Sequence, residues 1–257
     1  MRTADGRNLT FDLLETLGRA IVGGAFEDGF PTEADLSRTH GVSRPVTREA
    51  VKMLAAKGLL SARPRVGTVV EPSESWNLLD PDVLRWLLER QLSLDLLRQF
   101  SELRLAIEPT AAALAAQIPD NPGIAAIEDG FARMEAAGRG EDDVLDADIQ
   151  FHVAILHAVQ NPFFRQFEEL VRTALHTSIR FTNRFSGRGG ANIGQHGEVL
   201  EAIRAGDPDR ARATMYELID EVVTLIDTAQ RDEPAAADAA AEAVGLGSLA
   251  NRAEKAA

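Results

Sequence analysis

Asp148 and His152 stand four residues apart in Ala-Asp-Ile-Gln-Phe-His, and His196 follows further along the chain. On a helix, a spacing of four puts both side chains on one face. One carboxylate with two imidazoles is a donor set that zinc, nickel or manganese accepts, so the trio is a candidate site for one divalent metal. The same Asp-x-x-x-His spacing also serves as an ordinary surface pair, and the spacing alone leaves both readings open.

A second constellation is electrostatic. Between Ser37 and Val70 stand Arg38, Arg44, Arg48, Lys52, Lys57, Arg63 and Arg65 against one acid, Glu49, in a chain whose formal net charge is -13. A basic face on an acidic protein points to a polyanion. Residues 1–72 carry 10 basic and 9 acidic side chains, a net of +1, which leaves -14 for the remainder. One part faces nucleic acid and another avoids it.

Helices and a hairpin must position that basic face. The spacing of Leu13, Leu14, Leu17 and Ile21 predicts a helix from about Thr10 to Val22, ended by Gly23-Gly24. Thr32 is placed to cap a second helix, Glu33 to His40, and Gly41 ends it. Ser43 is placed to cap a third, Arg44 to Lys57, with Pro45 in its first turn. Short strands are expected near 60–62 and 68–70, around Arg63-Pro64-Arg65-Val66-Gly67. This is the pattern of a winged helix-turn-helix, whose second helix enters the major groove with its N-terminal residues leading. The expected DNA-facing residues are therefore Thr32, Ser43, Arg44, Pro45, Thr47, Arg48 and Lys52, with Arg63, Arg65 and Gly67 in the wing. Arg44 and Arg48 share a helix face, and a guanidinium fork suits guanine O6 and N7. The Ser43 and Thr47 hydroxyls suit phosphate oxygens.

Residues 73–80 are expected as a linker, and 81–232 as an all-helical domain. Helices are expected over 81–91, 93–117, 122–138, 142–159, 162–185, 192–205 and 208–231. The breaks fall at Pro, Gly or Asn, and Pro109 is expected to kink or break the second helix. Residues 233–257 turn to Ala, Glu, Asp and Gly and read as a disordered or loosely helical tail. The chain has no cysteine, which excludes disulfides and thiolate metal sites and fits a cytoplasmic setting. No apolar run approaches the ~20 residues of a membrane span.

Phe30-Pro31-Thr32-Glu33, Gly41-Val42-Ser43-Arg44-Pro45-Val46, Arg48-Glu49-Ala50, Gly58-Leu59-Leu60 and Gly67-Thr68-Val69-Val70 resemble the DNA-binding signature of the GntR family of bacterial transcription regulators. One departure is Ala34, where some members carry Arg. Leu103-Arg104, Glu108-Pro109, Ala112-Ala113, Asp148 to His152, Asn161-Pro162, and His196 before Gly206-Asp207 resemble the FCD ligand-binding domain of the FadR-type branch. Within it, Ile21 to Gly24, Trp76-Asn77, Leu79-Asp80, Asp82 to Leu84, Trp86, Leu88-Glu89 and Glu108 to Ala111 are similar to the galactonate-responsive repressors.

The resemblance implies a mainly α protein: a winged helix-turn-helix followed by a bundle of six or seven helices. It implies a homodimeric repressor of operator DNA, released by a small carboxylate such as galactonate or another aldonate. An Asp and three His hold a metal in many relatives. Asp148, His152 and His196 carry over, and Leu218 stands where the remaining His is expected. Either a metal binds with three protein ligands, or these groups hydrogen-bond the effector directly. Arg104 is expected to pair with the effector carboxylate, and Arg180 and Asn183 to meet its hydroxyls. The competing class is a metal-dependent enzyme on a helical bundle. Against it stand the absence of a nucleophile elbow or glycine-rich phosphate loop, and too few convergent acids beyond Asp148 and Glu108.

Overall fold

The computed structural model describes residues 8–26, 29–90, 94–173, 175–176 and 192–243. The chain divides into two compact units, with the division after residue 92.

In the first unit, the Asn8 side chain accepts from the Thr10 amide and opens α1 (Leu9–Val22). Leu13, Leu14, Leu17 and Ile21 fall on one face of α1 and are all buried. Thr32 caps α2 (Glu33–His40) by accepting from the Asp35 amide at 3.2 Å. In α3 (Arg44–Ala56), Val46, Ala50, Val51 and Leu54 face the same core. Strand β1 (Leu60–Arg63) pairs antiparallel with β2 (Gly67–Val70), Leu60 opposite Val70 and Arg63 opposite Gly67. Gly58 turns the chain from α3 into β1 at φ 79°, and a Cβ there would lie 2.5 Å from the Ser75 carbonyl oxygen. Only glycine takes that backbone without strain at that approach.

The expected linker, 73–80, and the helix after it belong to this same unit. The Trp76 indole donates to the Glu71 carbonyl at 2.9 Å, and the Asn77 amide donates to the Lys57 carbonyl at 3.0 Å. Asp80 accepts from the Asp82 and Val83 amides at the start of α4 (Pro81–Arg90), and both Asp80 and Asp82 pair with Lys57. Trp86 of α4 lies buried against Gly18 of α1, where any Cβ would overlap the indole. The boundary expected near residue 80 therefore moves to the far side of α4. The apolar face of α4 is buried here, a choice that periodicity does not make.

The second unit is all helical. It contains α5 (Leu94–Ala116), α6 (Ile124–Gly138), α7 (Val144–Ala158), α8 (Pro162–Arg165), α9 (helical residues 168–173 and 175–176), α10 (Ile193–Arg204) and α11 (Pro208–Ala243). α5 lies along α11, α6 along α7, and α10 against α5, α6 and α11. Buried Ala111, Ala112, Ala115 and Ala116 give α5 a narrow face that admits close neighbours. The helix runs through Pro109 without a break. The helix expected over 162–185 breaks instead after Arg165. There the Gln166 and Phe167 amides bond three residues back, which lets Phe164 and Phe167 both face the core. α11 continues past the expected end at 231 to Ala243, through an alanine-rich stretch that favours helix.

Candidate functional site

On the first unit, α3 presents Arg44, Pro45, Arg48 and Lys52 as exposed side chains, with Arg63, Arg65 and Gly67 exposed in the wing. Arg48 is 62% exposed, and its Nε donates to Glu33 of α2 at 3.3 Å. Arg63 pairs with Glu71 at 3.3 Å. Arg44, Lys52 and Arg65 form no ion pair with the described residues. Arg65 sits at the hairpin turn with φ 66°.

Two expectations change here. Ser43 precedes α3 but its side chain makes no capping hydrogen bond, so its exposed hydroxyl is not engaged by the helix. Thr47 is fully buried, and its Oγ1 lies 2.8 Å from Ser37 Oγ and donates to the Ser43 carbonyl at 3.4 Å. It joins α2 to α3 and does not reach a phosphate. One residue's difference, 100° of helix rotation, separates it from Arg48. The hydroxyl of exposed Thr32 is likewise occupied, capping α2 and donating to the Asp35 carboxylate at 2.6 Å.

In the second unit, α5, α7 and α10 bring five polar side chains together in a buried centre. Arg104, Glu108, Asp148, His152 and His196 are each at most 5% exposed. Arg104 Nε donates to Glu108 Oε1 at 2.5 Å, and His152 Nδ1 donates to Glu108 Oε2 at 2.5 Å. His196 Nδ1 donates to the Asn192 carbonyl at 2.8 Å. Both imidazoles thus face away from their Nδ1 partners and turn Nε2 inward. The two Nε2 atoms lie 3.4 Å apart. Asp148 Oδ1 lies 2.9 Å from Nε2 of His196 and 3.6 Å from Nε2 of His152. Phe151 stacks edge-on to both rings, with centroid distances of 5.8 and 5.1 Å.

The electrostatics of this centre are mutual. Burial works against the Glu108 charge, but Arg104 and then His152 outweigh it and hold the carboxyl at about 2. Burial also opposes the charge on His152, yet Glu108 and Asp148 raise it to about 9. Asp148 is buried too, and the two imidazoles beside it still hold its carboxyl well below the ordinary range.

One buried atom stands out. Asp148 Oδ1 has no hydrogen-bond partner, although His196 Nε2 lies 2.9 Å away. The Asp148 oxygen and the two Nε2 atoms converge on a common point. Ligand atoms around a tetrahedral metal, with bonds of about 2.0–2.1 Å, lie roughly 3.4 Å apart. The separations of 2.9, 3.4 and 3.6 Å fit that set. Asp148, His152 and His196 form the one such cluster found among the described residues. Leu218 is buried in the bundle core and offers no ligand atom.

The expected residues are therefore partly reunited. Asp148, His152, His196 and Arg104 meet, but Arg104 is engaged by Glu108 rather than left open. Arg180 and Asn183 lie outside the described residues. Glu108 was not among the expected site residues, although its spacing of four from Arg104 was a legible sign of a pair. The Asn192 carbonyl carries no sequence signal at all. His157 lies off the inner face, 2.8 Å from Glu168, and His176 is exposed.

A helical unit with a basic two-stranded wing, followed in the chain by an all-helical unit with a buried polar centre, defines a winged-helix transcription regulator with a sensing domain. The chain matches the family model described as "Bacterial regulatory proteins, gntR family" over residues 13–70 and the FCD domain model over residues 99–221. It is 33% identical to the Galactonate operon transcriptional repressor of Escherichia coli (strain K12), covering 82% of this chain and 94% of that protein. It is 33% identical to the uncharacterized HTH-type transcriptional regulator YieP of the same strain, covering 80% and 90%. A solved structure described as "Lar controls the expression of the Listeria monocytogenes agr system and mediates virulence" shares the fold. Its TM-score is 0.60 at 18% identity, covering 86% of this chain and 98% of that one. The chain belongs to the GntR family of bacterial transcription regulators, in the branch that carries an FCD domain. It is a DNA-binding regulator and not an enzyme. Among the described residues, no helix is long and apolar enough to cross a membrane.

Proposed function

We propose that the protein is a homodimeric repressor that leaves its operator when a small sugar acid, an aldonate such as galactonate, enters the helical unit. The observation that carries the effector half is the buried convergence of Asp148, His152 and His196 on one point, with Asp148 Oδ1 otherwise unpartnered. The relative named as a galactonate operon repressor supports the ligand class. Asp148 and the two imidazoles would hold one divalent zinc, nickel or manganese ion. Such an ion supplies positive charge and open positions for carboxylate and hydroxyl oxygens. Arg180 and Asn183 remain proposed contacts for the effector hydroxyls.

On the DNA side, Arg44 and Arg48 reach base edges, Ser43 and Lys52 the phosphates, and Arg65 and Arg63 the flanking groove. Coupling of roughly 1–3 kcal/mol between the two sites suffices for a working switch. The test is a gel shift on the DNA upstream of the protein's own operon, with galactonate, gluconate and lactate, before and after chelation. At least one acid is expected to weaken binding about 5- to 150-fold, the range of such coupling, and chelation to abolish the response. Unchanged DNA affinity across all acids refutes the effector assignment, and a response that survives chelation refutes the metal.

A further inference from the structure

We propose that Glu108 is a positioning residue that presents His152 to the metal, with Arg104 as its counter-ion. The inference rests on the metal reading above and assigns two residues that are not ligands in it.

An imidazole offers a metal only one nitrogen at a time, and the hydrogen bond made by the other nitrogen decides which. In this protein the two histidines solve that problem differently. His196 donates Nδ1–H to the backbone carbonyl of Asn192 at 2.8 Å, a partner built into its own helix turn. His152 lies in the middle of α7. Its Nδ1 is met from another helix, by Glu108 Oε2 of α5 at 2.5 Å. That contact leaves Nε2 facing Asp148 and His196.

A buried carboxylate needs compensation. Glu108 is 1% exposed, and its other oxygen accepts from Arg104 Nε at 2.5 Å, one helical turn away. The Arg104 guanidinium also comes within 3.4 Å of His152 Nδ1, so the three groups form one closed cluster. The formal charges then separate cleanly. Arg104 and Glu108 cancel, while a divalent ion on Asp148 and two neutral imidazoles leaves a net of +1. A centre of that charge draws a monoanion, and it does so without Arg104 letting go of Glu108. Arg104 thus acts mainly through Glu108 and not as the direct clamp on the effector.

The experiment is chelator competition for Zn(II) on the full-length protein, in wild type, Glu108→Gln, His152→Ala and the double variant. Thermal melts of the metal-free proteins run alongside. Glu108→Gln is expected to weaken zinc binding about 10- to 100-fold, as loss of such outer partners does. In the His152→Ala background the same substitution is expected to change zinc affinity no further. A residue that merely supports the bundle would lower the metal-free melting temperature and weaken zinc equally in both backgrounds, and that result overturns the proposal. Zinc affinity unchanged by Glu108→Gln overturns it as well. If Glu108→Gln does not fold, Glu108→Asp carries the same comparison: it keeps the charge but draws it back from Nδ1, and it too must weaken zinc only when His152 is present. Wild-type protein that takes up no zinc, nickel or manganese removes the metal reading and this inference together, which separates that failure from the others.

Discussion

Thr47 and Arg48 are adjacent in the chain and do unrelated work in the fold. Thr47 is sealed between α2 and α3 with its hydroxyl 2.8 Å from Ser37, while Arg48 points outward, 62% exposed and steadied by Glu33. Their substitutions should separate two kinds of loss. Arg48→Ala is expected to remove the preference for operator over unrelated DNA, about 1–3 kcal/mol for a bidentate base contact, and to leave the melting temperature unchanged. Thr47→Val is expected to cost about 1 kcal/mol of stability through the lost hydrogen bond, with operator preference retained. Binding isotherms on specific and scrambled DNA, paired with thermal melts, check both. Retained preference in Arg48→Ala would remove that residue from base reading. At this scale residue types were readable in advance, but their direction was not. The paired arginines and the Asp-His spacing were visible. The burial of Thr47 depends on the packing of α3 against α2, whereas Arg104 and Glu108 stand one turn apart on α5.

At the scale of elements, most helices and both strands lie where periodicity, caps and breakers put them. Thr32 caps α2 as its type and place require, and Gly58 turns α3 into β1. The exceptions have identifiable causes. The segment around Trp76 and the whole of α4 join the first unit because Gly18 leaves room for Trp86 and because Glu15 gathers Arg85, Arg19 and the Trp86 indole. Periodicity shows that α4 has an apolar face but not what covers it.

The Glu15 cluster gives a pH signature. The hydrogen bond from Arg85 outweighs the effect of burial, and with help from Trp86 and Arg19 it holds the Glu15 carboxyl below the ordinary glutamate range. The folded state therefore binds that proton less readily than the unfolded chain. The resulting stability is fully present above the unfolded pKa of about 4.3 and is lost as pH falls through the lower folded value. Wild type should exceed Glu15→Gln in melting temperature by a constant margin above about pH 5.5, and the margin should shrink as pH falls below the ordinary glutamate range. A margin independent of pH would show that the carboxylate charge is not what holds α1 to α4.

For the molecule as a whole, the charge division is the governing fact. A strongly acidic chain is repelled by DNA except where its basic residues gather, and in the first unit they gather on α3 and the wing. The FCD unit adds a buried centre whose five polar groups are closed off from solvent. If that centre holds a metal in a dimer, native mass spectrometry should show a species of twice the chain mass of 27.8 kDa carrying one ion per chain. Stripping the ion should then lower the thermal midpoint, since a ligand bound only by the folded state stabilises it by about 2.7 kcal/mol at 100 times its dissociation constant. A metal-free dimer with an unaltered midpoint after chelation would count against the site.

The sequence by itself determined the architecture and the family. Caps, breakers and apolar spacing are local signals, and the GntR and FCD motifs stand in contiguous stretches that read without a fold. Tertiary structure alone decided which polar groups meet. Arg104 and Glu108 on α5, Asp148 and His152 on α7, and His196 on α10 are brought together by helix packing. It also decided that His152 is oriented by a carboxylate and His196 by a main-chain carbonyl. The first of these bonds joins two helices far apart in the chain, and no spacing along a sequence encodes it.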